Sequence, residues 1–229
     1  MLYSHTVFAE FVDRPNRFIA HVKIGGKEET VHVKNTGRCR ELLIPGRKVV
    51  LQKGENPARK TPYDLIAVEK PGLGWVNIDS QVPNALVKEW LEERPDPFAD
   101  WTLLRPEKVY GDSRVDFYLE APGRKVLLEV KGCTLELEGK GYFPDAPTER
   151  GAKHLRELKA ARREGYEAYL AFVITMPGIE KVEANRATDP RFADALEEAK
   201  AAGVKVLFLP CEVGADSLRI IGAALAGQE

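Results

Sequence analysis

Cysteine is scarce: Cys39, Cys133 and Cys211 are the only three in 229 residues, far apart and without a CxxC pair. Their spacing excludes a disulfide framework and a cysteine zinc site, and it fits a reducing, cytoplasmic compartment. Long apolar runs are also missing. No stretch approaches the ~18–20 residues that span a bilayer, and the opening MLYSHTVFAEF has no basic segment leading into an apolar one. Neither a membrane partner nor a targeting segment is expected. There is no P-loop, no GxGxxG after a strand and no GxSxG elbow, which removes nucleotide hydrolysis, dinucleotide redox chemistry and serine hydrolysis. Net charge is nearly absent as well: 34 Lys and Arg against 35 Asp and Glu leave −1, so the whole chain has no general attraction to nucleic acid.

What is present is a core. With 44% hydrophobic residues the chain can bury one large domain or two small ones, and disorder is excluded as its dominant state. Its charge is unevenly spread. Residues 1–84 hold 13 basic and 9 acidic side chains, and between Lys34 and Lys60 eight basic residues meet only Glu41 and Glu55. A mildly basic front part is therefore joined to an acidic back part.

The two parts also differ in pattern. RFIAHVKIGGKEETVHVKN reads as a hairpin around Gly25-Gly26, and GRKVVLQKG, YDLIAVEK and WVNID add three more short strands. Five strands in this length suit an OB-like β-barrel over residues 1–83, a fold whose loops often hold nucleic acid. From residue 84 strands alternate with helices, which predicts an α/β domain over 84–229. Asn84 is the expected cap of a helix carrying Leu86, Val87, Trp90 and Leu91. A second helix is expected near 148–164, and a third from Thr188 or Asp189 to about Ala202.

The segment SRVDFYLEAPGRKVLLEVKG reads as a hairpin turning at Pro122-Gly123. A symmetric turn pairs Val115 with Val130, Phe117 with Leu128 and Leu119 with Val126 on one face. The other face pairs Arg114 with Lys131, Asp116 with Glu129 and Glu120 with Lys125. Opposed carboxylates repel, and a divalent cation between Asp116 and Glu129 would relieve them; hard oxygen ligands favour Mg²⁺ or Mn²⁺ over zinc. Lys131 projects from the same face, able to position a water or offset charge on a phosphate. The arrangement suits metal-dependent phosphodiester hydrolysis. An ordinary solvated face of alternating charge is the plainer alternative.

D-x12-E-x-K on adjacent strands, between a helix bearing acids and a helix bearing bases, resembles the core of PD-(D/E)XK nucleases. More specifically, VHVKNTGRCRELLIPG, ARKTPYDLIAV, IDSQVPN, YGDSRVDFYLE, LLEVKGCTLE and FPDAPTERGAKHLREL resemble the sugar fermentation stimulation protein A family over nearly the whole chain. That resemblance implies an OB-like domain joined to a restriction-endonuclease-like domain, in DNA-binding proteins linked to regulation of sugar (maltose) metabolism. The nuclease motif falls on Asp116, Glu129 and Lys131. Glu89, Glu93 and Glu107 are open candidates for a further acid.

The expected function is thus DNA binding with metal-dependent nuclease action: Asp116, Glu129 and the Val130 carbonyl hold Mg²⁺ or Mn²⁺, and Lys131 assists the water. The alternative is a non-catalytic DNA-binding regulator; a third, weaker reading is an enzyme acting on a small anionic metabolite. Lys34, Asn35, Arg38 and Arg40 in KNTGRCREL, with Arg59 and Lys60 joining in space, form the expected nucleic-acid loop. Arg150 and Lys153 near a helix start are expected on phosphates, and His154 either on the scissile phosphate or facing solvent. Phe18, Tyr63 and Trp75 are expected mainly as packing residues. An oligomer is compatible with the sequence, which specifies none.

Overall fold

The computed structural model describes residues 1–56 and 58–227. Its first six strands are β1 (Thr6–Asn16), β2 (Ile19–Ile24), β3 (Lys27–Val33), β4 (Lys48–Lys53), β5 (Tyr63–Lys70) and β6 (Gly74–Asn77). Antiparallel pairs β1–β2, β2–β3, β1–β4 and β4–β5, with a parallel contact between β3 and β5, close a five-stranded barrel of OB type. Gly25 and Gly26 both take positive φ, which lets the β2–β3 hairpin turn in two residues.

One barrel strand differs from the expected set. WVNID supplies β6, which extends the sheet beyond β5. The fifth barrel strand is β1, whose alternation is broken by register shifts between Phe11 and Asp13 and between Asp13 and Asn16. β4 and β5 are buried on both faces. Val49, Leu51 and Leu65 join the barrel core, while Val50, Ile66 and Ala67 pack into a core shared with the second domain.

That domain begins with α1 (Val82–Glu92), followed by β7 (Leu103–Tyr110), β8 (Ser113–Ala121), β9 (Arg124–Cys133), β10 (Leu135–Leu137) and β11 (Lys140–Phe143). Then come α2 (Glu149–Arg163), β12 (Glu167–Ile174), β13 (Val182–Ala184), α3 (Pro190–Ala201), β14 (Lys205–Val213), β15 (Leu218–Ile220) and β16 (Ala224–Leu225). The main sheet runs β15-β14-β12-β9-β8-β7, with β16 also on β14. β12 lies parallel between β9 and β14. α1 and the barrel cover one face through Leu86, Val87 and Leu91, against Phe117, Leu128 and Tyr169. α2 and α3 cover the other through Leu155, Leu158, Phe192 and Leu196.

Helix starts follow local chemistry. The Thr148 hydroxyl accepts the Gly151 N–H at 3.0 Å to begin α2, and Asp189 accepts the Phe192 N–H at 3.1 Å to begin α3, ahead of Pro190. α1 departs from expectation. It starts two residues before Asn84, behind Gln81, so the Asn84 amide lies in the first turn and bonds elsewhere.

A buried polar seam fixes the two domains together. The Asn77 N–H donates to the Thr175 carbonyl at 2.9 Å, the Thr175 hydroxyl donates back to the Asn77 carbonyl at 2.8 Å, and Tyr3 links Asn77 to Asp79. The Cys39 N–H reaches Asp145 at 3.2 Å. All three cysteines are buried and unpaired, and burial pushes each thiol up to about 12, which leaves them inert as nucleophiles. Among the described residues no helix is long and apolar enough to cross a membrane.

Candidate active site and nucleic-acid surface

The β8–β9 hairpin holds the predicted register at Phe117–Leu128, Leu119–Val126 and Glu120–Lys125. It stops there. The expected backbone pairs Asp116–Glu129, Val115–Val130 and Arg114–Lys131 do not form, because the strand changes side at Asp116. Val115 packs into the core under α2, whereas Phe117 and Leu119 pack into the core under α1. The β7–β8 ladder also skips this position, and Glu107 on β7 takes a positive φ of 51°. Such a break re-aims a side chain. Asp116 replaces the lost backbone partner with its own carboxylate: Oδ2 accepts the Val130 N–H at 2.8 Å, and Oδ1 accepts the Asn84 amide at 2.8 Å.

Glu129, on the unbroken β9, points toward α2 and is only 2% exposed. Its Oε1 accepts both Lys131 Nζ, at 2.5 Å, and His154 Nδ1 from α2. Arg150 Nε donates to His154 Nε2 at 3.2 Å, so the geometry assigns the ring proton to Nδ1, where it is shared with Glu129. His154 is therefore buried against a carboxylate, not facing solvent.

The two carboxylates are driven apart electrostatically. Burial, then the charge of Glu129, raises the Asp116 pKa above the ordinary aspartate value. Burial would do the same to Glu129, but the bonds and charges of His154 and Lys131 outweigh it and hold that carboxyl below its ordinary value. Cationic charge near Asp116 relieves the repulsion. Among the described residues no group of three or more His, Cys, Asp or Glu side chains is arranged to hold a metal. The candidate acids lie elsewhere: Glu89 pairs with the N-terminal ammonium at 3.1 Å, Glu107 pairs with Arg114 at 3.1 Å, and Glu93 is exposed beyond α1. Two hard carboxylates, with remaining ligands from backbone, water and phosphate, fit Mg²⁺-like coordination better than zinc.

The expected nucleic-acid residues divide into two groups. Arg38, Arg40 and Lys60 are exposed and make no side-chain ion pair among the described residues. Arg38 and Arg40 line an interdomain cleft of about 890 Å³ with Arg14 and Arg17. The others are engaged within the protein. Lys34 pairs with Asp79 at 2.8 Å and with Asp64 at 3.7 Å, Arg59 grips Asp64 with two bonds, and Asn35 bonds the Ile78 carbonyl and the Gly37 N–H. Sequence placed Lys34 and Arg59 together; Asp64 is what joins them. Burial opposes the Asp64 charge, but Arg59, His32 and Lys34 hold its pKa below the ordinary value. A lowered folded-state pKa gives stability that is full above the unfolded value and lost as pH falls through the folded one. Asp64→Asn should therefore lower Tm at neutral pH, with the deficit shrinking in acid. A deficit constant with pH, measured by thermal melts, would refute this account.

Asn84 is the site residue that sequence reasoning missed. IDSQVPN carried it, but a helix-cap role explained it sufficiently without a tertiary partner. Arg150 is exposed on α2, and Lys153 donates to the Asp112 carbonyl at 3.2 Å.

An OB barrel followed by a mixed α/β sheet, with Asp116, Glu129 and Lys131 gathered where two central strands part, defines a two-domain protein of the restriction-endonuclease-like class. Comparison with known families agrees. Residues 12–78 match the model described as the SfsA N-terminal OB domain, and residues 81–217 match the sugar fermentation stimulation protein RE domain. The chain belongs to the sugar fermentation stimulation protein (SfsA) family. It is 54% identical over 218 residues to a sugar fermentation stimulation protein homolog of Desulfitobacterium hafniense (strain DSM 10664 / DCB-2), covering 95% of this chain and 94% of that one. It is 50% identical over 220 residues to the homolog of Clostridium beijerinckii, covering 96% of each. The solved structure of Pyrococcus furiosus SfsA superposes with a TM-score of 0.88 at 28% identity, over 97% of this chain and 96% of that one.

Proposed function

We propose that this protein hydrolyses phosphodiester bonds of nucleic acid, DNA in the first instance, using Mg²⁺ or Mn²⁺ held by Asp116, Glu129 and the Val130 carbonyl. The observation that carries this reading is the strand break that aims Asp116 at the Glu129–Lys131 end of β9, where burial and then the charge of Glu129 raise its carboxyl. The relative from Pyrococcus furiosus was solved in complex with Ca²⁺, an ion that takes oxygen ligands, which supports a hard-cation site here.

When bound, the cation would supply Lewis-acid polarisation of the phosphate and acidify a water. The chain's own residues do the positioning. Asn84 and the Val130 N–H orient Asp116, while His154, backed by Arg150, fixes one oxygen of Glu129. Lys131 Nζ, steadied by Glu129, orients the attacking water and offsets negative charge growing on the phosphate. Exposed Arg38 and Arg40 in the cleft would hold the strand by its backbone.

The test is a melt and a cleavage assay on the same protein. Mn²⁺ or Ca²⁺ at about 100 times Kd should add roughly 2.7 kcal/mol of stability, a Tm rise of about 5–10 °C in a chain of this length. Mn²⁺ should also support cleavage that chelation abolishes. No Tm response and no cleavage would overturn the proposal. One observation favours a second reading: Lys131 and His154 already satisfy Glu129 Oε1. On that reading the protein is a DNA-binding regulator of sugar-metabolism genes that retains the nuclease fold without using it, and it would bind DNA without cutting it.

A further inference from the structure

His154 also lines a cavity of about 850 Å³ that adjoins the interdomain cleft at Thr148. Five cationic side chains from three elements surround it: Arg114 on β8, Arg150, Lys153 and Arg156 on α2, and Arg191 on α3. The acids at its wall do not balance them. The Asp189 carboxylate is used by the Thr148 and Phe192 N–H groups, at 2.7 and 3.1 Å. Asp112 gives Lys153 only its backbone carbonyl. Three of the cations have acidic partners, Glu107 for Arg114 at 3.1 Å, Glu157 for Lys153 at 3.6 Å and Glu149 for Arg191 at 3.8 Å, and the Arg114 and Arg191 pairs lie largely in solvent, where they are screened and leave both guanidiniums available. Among the described residues Arg156 has no ion pair, and Arg150 uses only Nε, on His154. A concave wall with surplus cations focuses positive potential, and guanidinium forks match phosphate oxygens.

We propose that this cavity binds a phosphate group. On the nuclease reading above, on which this placement rests, it is a phosphate of the same strand as the one cleaved, since the cavity wall connects through Arg150 and His154 to Glu129. The phosphate is either a terminal monoester or an internal diester.

The test measures fluorescence anisotropy of the full chain with short single-stranded DNA, with a phosphorylated or an unphosphorylated 5′ end, in Ca²⁺ and across ~50 to ~200 mM salt. Each lost phosphate contact should reduce the slope of log K against log salt by about 0.7, so an Arg156→Ala/Arg191→Ala variant should lose roughly 1.4 and bind more weakly. Lys23→Ala/Lys27→Ala, on the exposed β2–β3 hairpin, should change neither. Loss confined to the phosphorylated strand identifies the monoester, and equal loss on both identifies the diester. An unchanged slope in the first variant, or the same loss in the second, overturns the proposal. Failure of cleavage alone sinks the nuclease reading and leaves this slope difference standing. Should the wild-type chain bind no DNA, calorimetry with inorganic phosphate decides: heat present in wild type and absent from the Arg156/Arg191 variant supports the site, and no heat in wild type overturns it.

Discussion

Lys131→Ala should cut Mn²⁺-dependent cleavage by about 10²–10³-fold while leaving the metal-induced Tm rise in place. The size follows from losing one preorganised charge beside the phosphate, and the persistence follows because Lys131 is not a metal ligand. Glu129→Ala should behave differently. It removes a proposed ligand and the anchor of both Lys131 and His154, so cleavage and the metal-dependent rise should disappear together. Some metal-free stability should go with them, since His154 is left buried without its carboxylate partner, at about 1–3 kcal/mol. Lys125→Ala, exposed near the hairpin turn, serves as the control. Equal residual cleavage in the Lys131 and Glu129 variants, at the level of that control, would remove these residues from the reaction.

Gly132→Ala is the second large effect, and it ties packing to the site. A Cβ on Gly132 would lie 2.7 Å from Cγ of Pro83, a rigid ring atom in the first turn of α1. Either α1 or β9 must move. Such overpacking costs about 1–3 kcal/mol, a Tm loss of roughly 2–12 °C. Asn84 follows Pro83, so the shift also loosens the amide that orients Asp116, and cleavage should fall by up to ~10²-fold. Gly222→Ala meets its nearest neighbour, Pro210, at an ordinary 3.6 Å and should be near neutral. A Gly132→Ala protein that melts with wild type would show that the helix yields without cost.

Much of the candidate site was legible because it is local. Asp116 and Glu129 flank a tight turn, and the alternation between them counts out the register from that turn as far as Phe117 and Leu128. Periodicity could not reveal the change of side at Asp116. Such a break has no sequence marker when the residues around it are as apolar as Val115 and Phe117, and its stability comes from donors on two other segments, Val130 and Asn84. The solvent-facing alternative for His154 failed for a related reason. On its own helix it looks like one member of a charged face, and only the docking of α2 against β9 brings Glu129 within reach.

The sequence by itself determined the two-domain plan, the β2–β3 hairpin, the turn end of the β8–β9 hairpin and the approximate spans of α2 and α3. Each depends on turn residues, short-range periodicity or composition, and contacts within a few positions decide them. Tertiary structure alone decided which charges are free. Lys34 and Arg59 are neutralised by Asp64 and Asp79, whereas Arg38, Arg40 and Arg156 are left without ion pairs among the described residues. It also decided that β1, not β6, is the fifth barrel strand, and that Asn84 is brought to Asp116 and His154 to the Glu129–Lys131 pair. Those outcomes depend on partners far apart in the chain, whose charges and hydrogen bonds exist only once the two domains and the helices have packed.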